Sequence, residues 1–418
     1  MNENKFSDTT DPFSPQLLQL LREVGKVADS TDMHAYLVGG AVRDALLDRP
    51  IQDLDICIEG DALTFAETLQ SKLDAEILMR SQFLTVRVKL AGTTIDISTC
   101  RNEFYTAPAT LPVVHSSSLN DDLARRDFTI NAMAFDISPT NWGSLIDPFN
   151  GRSDLQRHSI RSLHEFSFID DPTRIFRAIR YSERLGFKIA PPTMNEIERN
   201  SSYIKNLSSD RIITELKKIY AESKVNDILS SANELGIMGK IHSALQWNDS
   251  HANGMNQTLA QNILPSDAFL VITGYLLKAT DQIDELSERI TNSSWSRELL
   301  RQAASIKSIE HLLIKPELAP TTLHSYLRNF GTHVLETTGA VTTNPSLVKV
   351  LQRELNEFRL THPNLTANDL LEMGVPRGPA IGDILKTLTN TILNHPETTL
   401  EAETILVREW LQNNHSQE

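Results

Sequence analysis

Leu17, Leu18, Leu20, Leu21, Val24 and Val27 recur every three to four residues across 16–29, the spacing of an amphipathic helix with one buried face. The pattern then tightens. Apolar runs at 35–38, 54–58, Ile77–Leu78, Thr85–Leu90 and Thr94–Ser98 read as strands, with a helix over about 61–73 and a turn at Ala91-Gly92. Ile130–Asp136 and the short Leu145–Ile146 close this mixed segment. From about residue 151 the period is helical to the C-terminus, without an internal repeat or a low-complexity tract. Softer joints fall near Ala190-Pro191-Pro192, Asn292-Ser293-Ser294 and His362-Pro363-Asn364. The pattern predicts an α/β head carrying a long helical body.

Composition narrows the class. A 418-residue chain with 40% hydrophobic and 22% charged residues suits a globular protein, and no apolar run nears the roughly 18 residues of a membrane span. No membrane partner is expected. Residues 1–15 are polar and lack the apolar stretch of a signal peptide, so they read as a loose tail. Cys57 and Cys100 are isolated thiols without CxxC spacing, which suggests reduced core residues and a cytoplasmic protein. The net charge of −14 argues against a nucleic-acid partner. Yet 151–220 holds thirteen Lys/Arg against nine Asp/Glu, and local fields decide phosphate binding.

The densest chemistry lies near the start. Apolar Tyr36-Leu37-Val38 leads into Gly39-Gly40, then the helix-like Ala41-Val42-Arg43-Asp44, then Asp53-Leu54-Asp55 on the next strand. Glycines between a strand and a helix let backbone N–H groups approach a phosphate, and Arg43 adds charge one turn on. Side chains i and i+2 of a strand share a face, so Asp53 and Asp55 converge, and two such acids call for a hard cation, Mg²⁺. The reading is a nucleotidyltransferase acting on an α-phosphate with two metals. Asp96, in the strand Thr94–Ser98, is a further candidate to join the metal pair or orient the attacking hydroxyl.

Two more segments add to this. Arg125 and Arg126 precede an apolar stretch and offer bidentate donors to a triphosphate, with Asp127 and Asn131 placed to fix those arginines and a ribose hydroxyl. In Asp170-Asp171-Pro172-Thr173-Arg174-Ile175-Phe176-Arg177-Ala178-Ile179-Arg180, continuing to Arg184, the arginines fall within an arc of about 120° of one helix. Ile175, Phe176 and Ile179 point elsewhere, toward a core. Asp171 and Arg174 stand one turn apart, an acceptor beside a donor. Cytosine and adenine both show an amino donor beside a ring-nitrogen acceptor, whereas guanine and uracil show the reverse and leave buried groups unpaired.

Together these segments resemble the class II tRNA nucleotidyltransferases, the CCA-adding enzymes and their bacterial poly(A) polymerase relatives. The match runs in order through LVGGAVRDALL with DLD, RRDFTINAMAFD, LIDPFNGRSDL, DDPTRIFRAIRYSERLGF and SSDRIITELKKI, over roughly residues 35–220. A tail-like motif spans Leu365–Leu370 and Gly374–Gly382, whereas 221–362 match loosely.

The resemblance implies an α+β fold: a polymerase-β-like head over 16–150, then an all-α neck over 151–220, body over 221–362 and tail over 363–418. By position, Asp53 and Asp55 would hold Mg²⁺, and Gly40, Arg43 and Arg126 would contact the triphosphate. Asp171 and Arg174 would read the base, with Arg177 and Arg180 nearby in the nucleotide pocket. Residues 101–122 look like the family's flexible loop, needed for the terminal A. The family's Glu-Asp pair is Asp170-Asp171 here, and the Gly that commonly follows the loop Pro is Ala109.

The expected substrates are the tRNA 3′ end, CTP and ATP; the expected reaction is template-independent CCA addition. An A-adding enzyme, a poly(A) polymerase and an inactive RNA-binding scaffold stand as alternatives, and the chain carries no signal for oligomeric state. The 101–122 loop argues against an enzyme that adds only CC.

Overall fold

The computed structural model describes residues 12–51, 53–245, 247, 267–275 and 282–415. Most of the expected tail over 1–15, and 246, 248–266 and 276–281 of the expected body, lie outside the described residues. The chain forms two compact units, Met1–Ile241 and His242–Glu418.

The first unit opens with α1 (Pro15–Asp29), where the Leu17 N–H donates to Ser14 Oγ at 3.2 Å and Pro15 occupies the first turn. Its predicted face buries Leu20, Leu21, Val24 and Val27. Gly25 is needed for contact: a Cβ there would fall 1.9 Å from the Ile137 carbonyl oxygen. After α1 come β1 (His34–Val38), α2 (Gly40–Leu46), β2 (Leu54–Glu59), α3 (Ala62–Leu73), β3 (Glu76–Ser81), β4 (Thr85–Leu90) and β5 (Thr93–Thr99). A ribbon, β6 (Arg101–Phe104) with β7 (Val113–Ser116), then leads to α4 (Leu119–Ala124), β8 (Ala134–Asp136) and β9 (Leu145–Ile146).

The strands make one mixed sheet in the order β3-β4-β5-β2-β1-β8-β9. All neighbours are antiparallel except β2 and β5, whose parallel register sets Asp55 beside Asp96. Three elements depart from the apolar pattern. Strand β3 outruns Ile77–Leu78 because its side chains are mostly exposed and show no alternation. The stretch expected as Ile130–Asp136 divides into a 3-10 turn over Thr129–Asn131 and β8. Asn131 Nδ2 donating to Asp127 Oδ1 at 2.9 Å closes that turn. The segment expected as a loop at 101–122 instead forms the ribbon of β6 and β7 and runs on into α4.

The remaining elements of this unit are α5 (Gly151–Gln156), β10 (Ser159–Ile160), α6 (Ser167–Asp170), α7 (Thr173–Leu185), β11 (Lys188–Ile189), α8 (Pro191–Asn200), α9 (Ser209–Tyr220), α10 (Val225–Glu234) and α11 (Ile237–Ile241). Among the described residues, the parallel ribbon of β10 and β11 departs from the helical expectation after residue 151. Ala190-Pro191-Pro192 is a helix start, with proline in the first turn of α8. Phe65, Phe128, Phe135, Phe168 and Phe176 are among the largest fully buried side chains. Each contributes roughly 1.5–3 kcal/mol relative to exposure.

The second unit is helical among its described residues. Ser293, expected at a joint, instead caps the helix Ser294–Leu313, accepting from the Ser296 N–H at 3.3 Å. Leu365, Leu370, Val375, Ile384, Leu388 and Val407 form a small core over the tail-like motif. Glu403, fully buried, accepts from the Asn364 N–H at 3.1 Å and the Leu365 N–H at 2.9 Å, tying the two ends of that segment together.

Candidate active site

Gly39 follows β1 and caps α2 with φ +71, a conformation that favours glycine. A Cβ at Gly39 would meet Arg126 Nη1 at 2.7 Å, so glycine lets that guanidinium rest against the turn. The sheet pairing of β2 begins at Leu54, which leaves Asp53 just ahead of the strand and exposed, with Asp55 half-buried one step inside it. Both acids nevertheless line one cavity of about 600 Å³. Gly39, Gly40, Arg43, Arg126, Asp127, Asn131, Asp171, Arg174 and Arg177 line the same cavity.

The arginines are held by a chain of alternating partners. Arg43, 4% exposed, donates from Nε and Nη2 to Asp44 at 2.9 and 2.8 Å and from Nη1 to Asn131 Oδ1 at 2.8 Å. Asn131 passes to Asp127, which accepts from Arg177 Nε at 2.7 Å. Arg177 Nη2 donates to the Tyr181 hydroxyl at 3.0 Å. Burial alone would raise the Asp127 carboxyl; Arg177, Asn131 and Arg174 outweigh it and hold the group down at about 2.

Arg125 and Arg126 share one anchor. Asp122 is fully buried and accepts from Arg125 Nε and Nη2 at 3.0 and 2.5 Å and from Arg126 Nη2 at 2.9 Å. Burial pushes its carboxyl up, but the two guanidiniums prevail and leave it below its ordinary value. Asp122 was not singled out from the sequence; the signal it leaves is an acid in α4 three and four residues before two arginines that follow the helix.

Asp171 lies in extended backbone between α6 and α7, not on the helix with Arg174. Its Oδ1 accepts from the Thr173 N–H at 2.9 Å and from Arg211 Nη2. Arg174, 5% exposed, meets neutral acceptors: Ser167 Oγ at 2.8 Å and the Arg125 carbonyl at 2.6 Å. Arg174 and Arg180 of the α7 stripe are therefore buried, Arg177 is half-buried and Arg184 is exposed. Tyr181 gathers it, with the guanidinium carbons of Arg43, Arg177, Arg180 and Arg184 lying 5.3 to 5.6 Å from its ring centroid.

Two candidates sit off the cavity lining. Asp96 engages Arg87 through both oxygens at 2.7 Å, and Arg180 faces Glu215 and Glu222 at 3.7 and 3.5 Å. Arg184, the last arginine of the predicted stripe, also lines the cavity, as do Asp44, Glu103, Tyr105, Thr173, Tyr181, Glu215 and Lys218, to which the sequence assigned no role.

The donor set suits Mg²⁺, which takes one or two carboxylates and fills its remaining positions with phosphate and water oxygens. Burial raises the Asp55 carboxyl above its ordinary value, with Asp96 and Asp53 adding to the rise and Arg126 opposing it. A cation between Asp53 and Asp55 would relieve that strain. Among the described residues no third carboxylate, histidine or cysteine completes an all-protein cage.

A mixed sheet bearing two such acids beside a glycine turn and a wall of arginines defines a nucleotidyltransferase. The family profile "Poly A polymerase head domain" matches residues 35–161, and "Probable RNA and SrmB- binding site of polymerase A" matches 186–246. The A-adding tRNA nucleotidyltransferase of Halalkalibacterium halodurans is 32% identical over 88% of this chain and 86% of its own. The chain therefore belongs to the tRNA nucleotidyltransferase family of A-adding and CCA-adding enzymes. The A-adding tRNA nucleotidyltransferase of Geobacter sulfurreducens is 29% identical over 92% of this chain, which spans 46% of that protein's length. A solved structure of Thermotoga maritima CCA-adding enzyme complexed with tRNA superimposes with a TM-score of 0.74 at 26% identity, covering 96% of this chain and 97% of that one. No helix among the described residues is long and apolar enough to cross a membrane.

Proposed function

We propose that this protein adds CMP and AMP to the 3′ end of tRNA without a nucleic-acid template. The observation that carries the reading is that Asp53 and Asp55 share one cavity with Asp171 and Arg174. The metal-binding acids of a nucleotidyl transfer and a side-chain pair matched to the edges of C and A thus face one volume.

The terminal 3′-hydroxyl oxygen of tRNA bonds to the α-phosphorus of CTP or ATP and gives up its proton to solvent. The bond from that phosphorus to the bridging oxygen breaks, and pyrophosphate leaves. Asp53 and Asp55 would hold Mg²⁺, which when bound lowers the hydroxyl's pKa and offsets charge on the leaving group. Arg43, Arg126 and Arg177 bind the triphosphate, with Gly39 and Gly40 leaving room for its approach. Asn131 fixes Arg43 and reaches the ribose; Asp127 orients Arg177. Asp171 accepts from the base amino group and Arg174 donates to the ring nitrogen. Asp96 adds to the field at Asp55, and Arg180 braces α7 from Glu215 and Glu222. The tRNA is held through its shape and the Lys/Arg excess over 151–220.

A second reading, addition of A alone, is favoured by the A-adding relatives. Three tRNA transcripts, ending at the discriminator base, the first C and the second C, separate the two when given CTP, ATP or both with Mg²⁺. Full CCA on the shortest transcript supports the first reading. Extension only of the transcript ending in CC, and only with ATP, replaces it with the second. Binding of tRNA and nucleotide without turnover refutes both.

A further inference from the structure

Arg211 belongs to the segment SSDRIITELKKI, and the reaction above assigns it no part. It stands in the first turn of α9 with its side chain 20% exposed. Its guanidinium forks between two acceptors that come from distant parts of the chain. Nη1 donates to the Ala109 carbonyl at 2.9 Å, and Nη2 donates to Asp171 Oδ1. The Ala109 N–H in turn donates to the Ile169 carbonyl at 3.2 Å, two residues before Asp171. The tip of the segment between β6 and β7 is thus pinned on both sides of one residue to the turn that carries the base-reading acid.

The pinned residue is itself under strain. Ala109 is 7% exposed with φ +61, in the left-handed region that costs a non-glycine residue roughly 1–2 kcal/mol. Such a conformation persists where the surroundings over-determine it, and Arg211 and Ile169 are those surroundings. At the other end of the fork, Thr173 N–H, Thr173 Oγ1 and Arg211 all meet the same Asp171 oxygen, Oδ1. One oxygen is spent on fixing the rotamer, and Oδ2 is the oxygen left to read.

We propose that Arg211 is a positioning residue for base selection, a rigid fork that sets the Asp171 carboxylate and the 105–112 tip as one unit. The inference rests on the proposed reading of Asp171 as base acceptor. A planar fork suits the task because its two N–H groups keep a fixed separation, which a lysine ammonium lacks.

The test uses the whole 418-residue chain and calorimetric binding of CTP, ATP, GTP and UTP, with inorganic tripolyphosphate as a probe of the arginine wall alone. Arg211→Ala is expected to lower the preference for CTP and ATP over GTP and UTP by about tenfold, the worth of one hydrogen bond to a charged group. Tripolyphosphate affinity should stay within about twofold of the wild type, since the wall is untouched; equal weakening for all four nucleotides and tripolyphosphate indicates general damage and overturns the proposal. Amide exchange across 105–112 should rise. Arg211→Lys keeps the charge without the fork and guards against a misfolded alanine variant; it too should lose selectivity. Wild-type selectivity in either folded variant overturns the role of Arg211 alone. A wild-type protein that binds all four nucleotides equally overturns the base-reading assignment of Asp171 and the proposal with it.

Discussion

Replacing Asp122 with asparagine removes one charge from beneath two arginines. Asp122 is fully buried, while the Arg125 and Arg126 side chains are 18% and 16% exposed. An amide has one acceptor oxygen for a site where both carboxylate oxygens are engaged, by Arg125 on Oδ1 and Arg126 on Oδ2. Breaking a buried pair by removing one partner costs about 3–5 kcal/mol. Arg125 keeps Glu103 at 2.8 Å, so the lower end, about 3 kcal/mol, applies. For a unit of this size that is a fall of about 6–12 °C in the melting transition. The sign with pH follows from a folded carboxyl held below its unfolded value: the wild type has this stability above about pH 4 and loses it as pH falls further. Melting curves followed by circular dichroism should show the gap between variant and wild type widest at pH 7 and closing below about pH 4. Because Arg126 rests against Gly39, the Michaelis constant for nucleotide should rise as well. A melting point within about 1 °C of wild type at pH 7, or a gap unchanged on acidification, refutes the reasoning.

Gly39→Ala places a Cβ 2.7 Å from Arg126 Nη1 at φ +71. It should cost about 1–2 kcal/mol in melting and weaken tripolyphosphate binding measured by calorimetry. Asp127→Asn should cost on the order of 2 kcal/mol at pH 7, because the wild-type carboxyl is held at about 2 in the fold; the wild type should shed that stability between about pH 4 and pH 2, and an acid titration of both proteins checks it. Ala109→Gly relieves the left-handed strain but loosens the unfolded chain by about 0.4–1 kcal/mol, so its melting point should match or slightly exceed wild type. Cys57 and Cys100 are both free and buried, with Sγ atoms 2.8 Å apart. A thiol-reactive dye should label neither in the native protein and both after denaturation.

The strands and first helix were legible because each has an apolar face with its own period: Val24 and Val27 bury on one, Ile56 and Ile58 on the other. The cavity's charged residues were legible by type and spacing, but their surroundings were not. Arg174 and Arg180 read as members of one basic stripe; that both are 5% exposed was not legible, because their partners arrive from Ser167, Arg125, Glu215 and Glu222, which no local pattern links to α7. Asp53 lies one residue ahead of β2 and Asp171 two residues ahead of α7, just outside the elements assigned to them, as residues at the ends of strands and helices commonly do. Strand pairing beyond nearest neighbours, such as β2 against β5, depends on the whole sheet.

The matched arginines bear on how quickly the site empties. Arg43, Arg126 and Arg177 each already own a carboxylate, in Asp44, Asp122 and Asp127. On the proposed reading, a triphosphate arriving there meets guanidiniums with standing counter-ions, so its net attraction is the difference between two good pairings. The departing pyrophosphate faces the same competition in reverse, and the donors hold their places when it goes. If the site adds C, C and A in turn as proposed, it gains more from prompt release and an unchanged geometry than from a tight grip on the nucleotide.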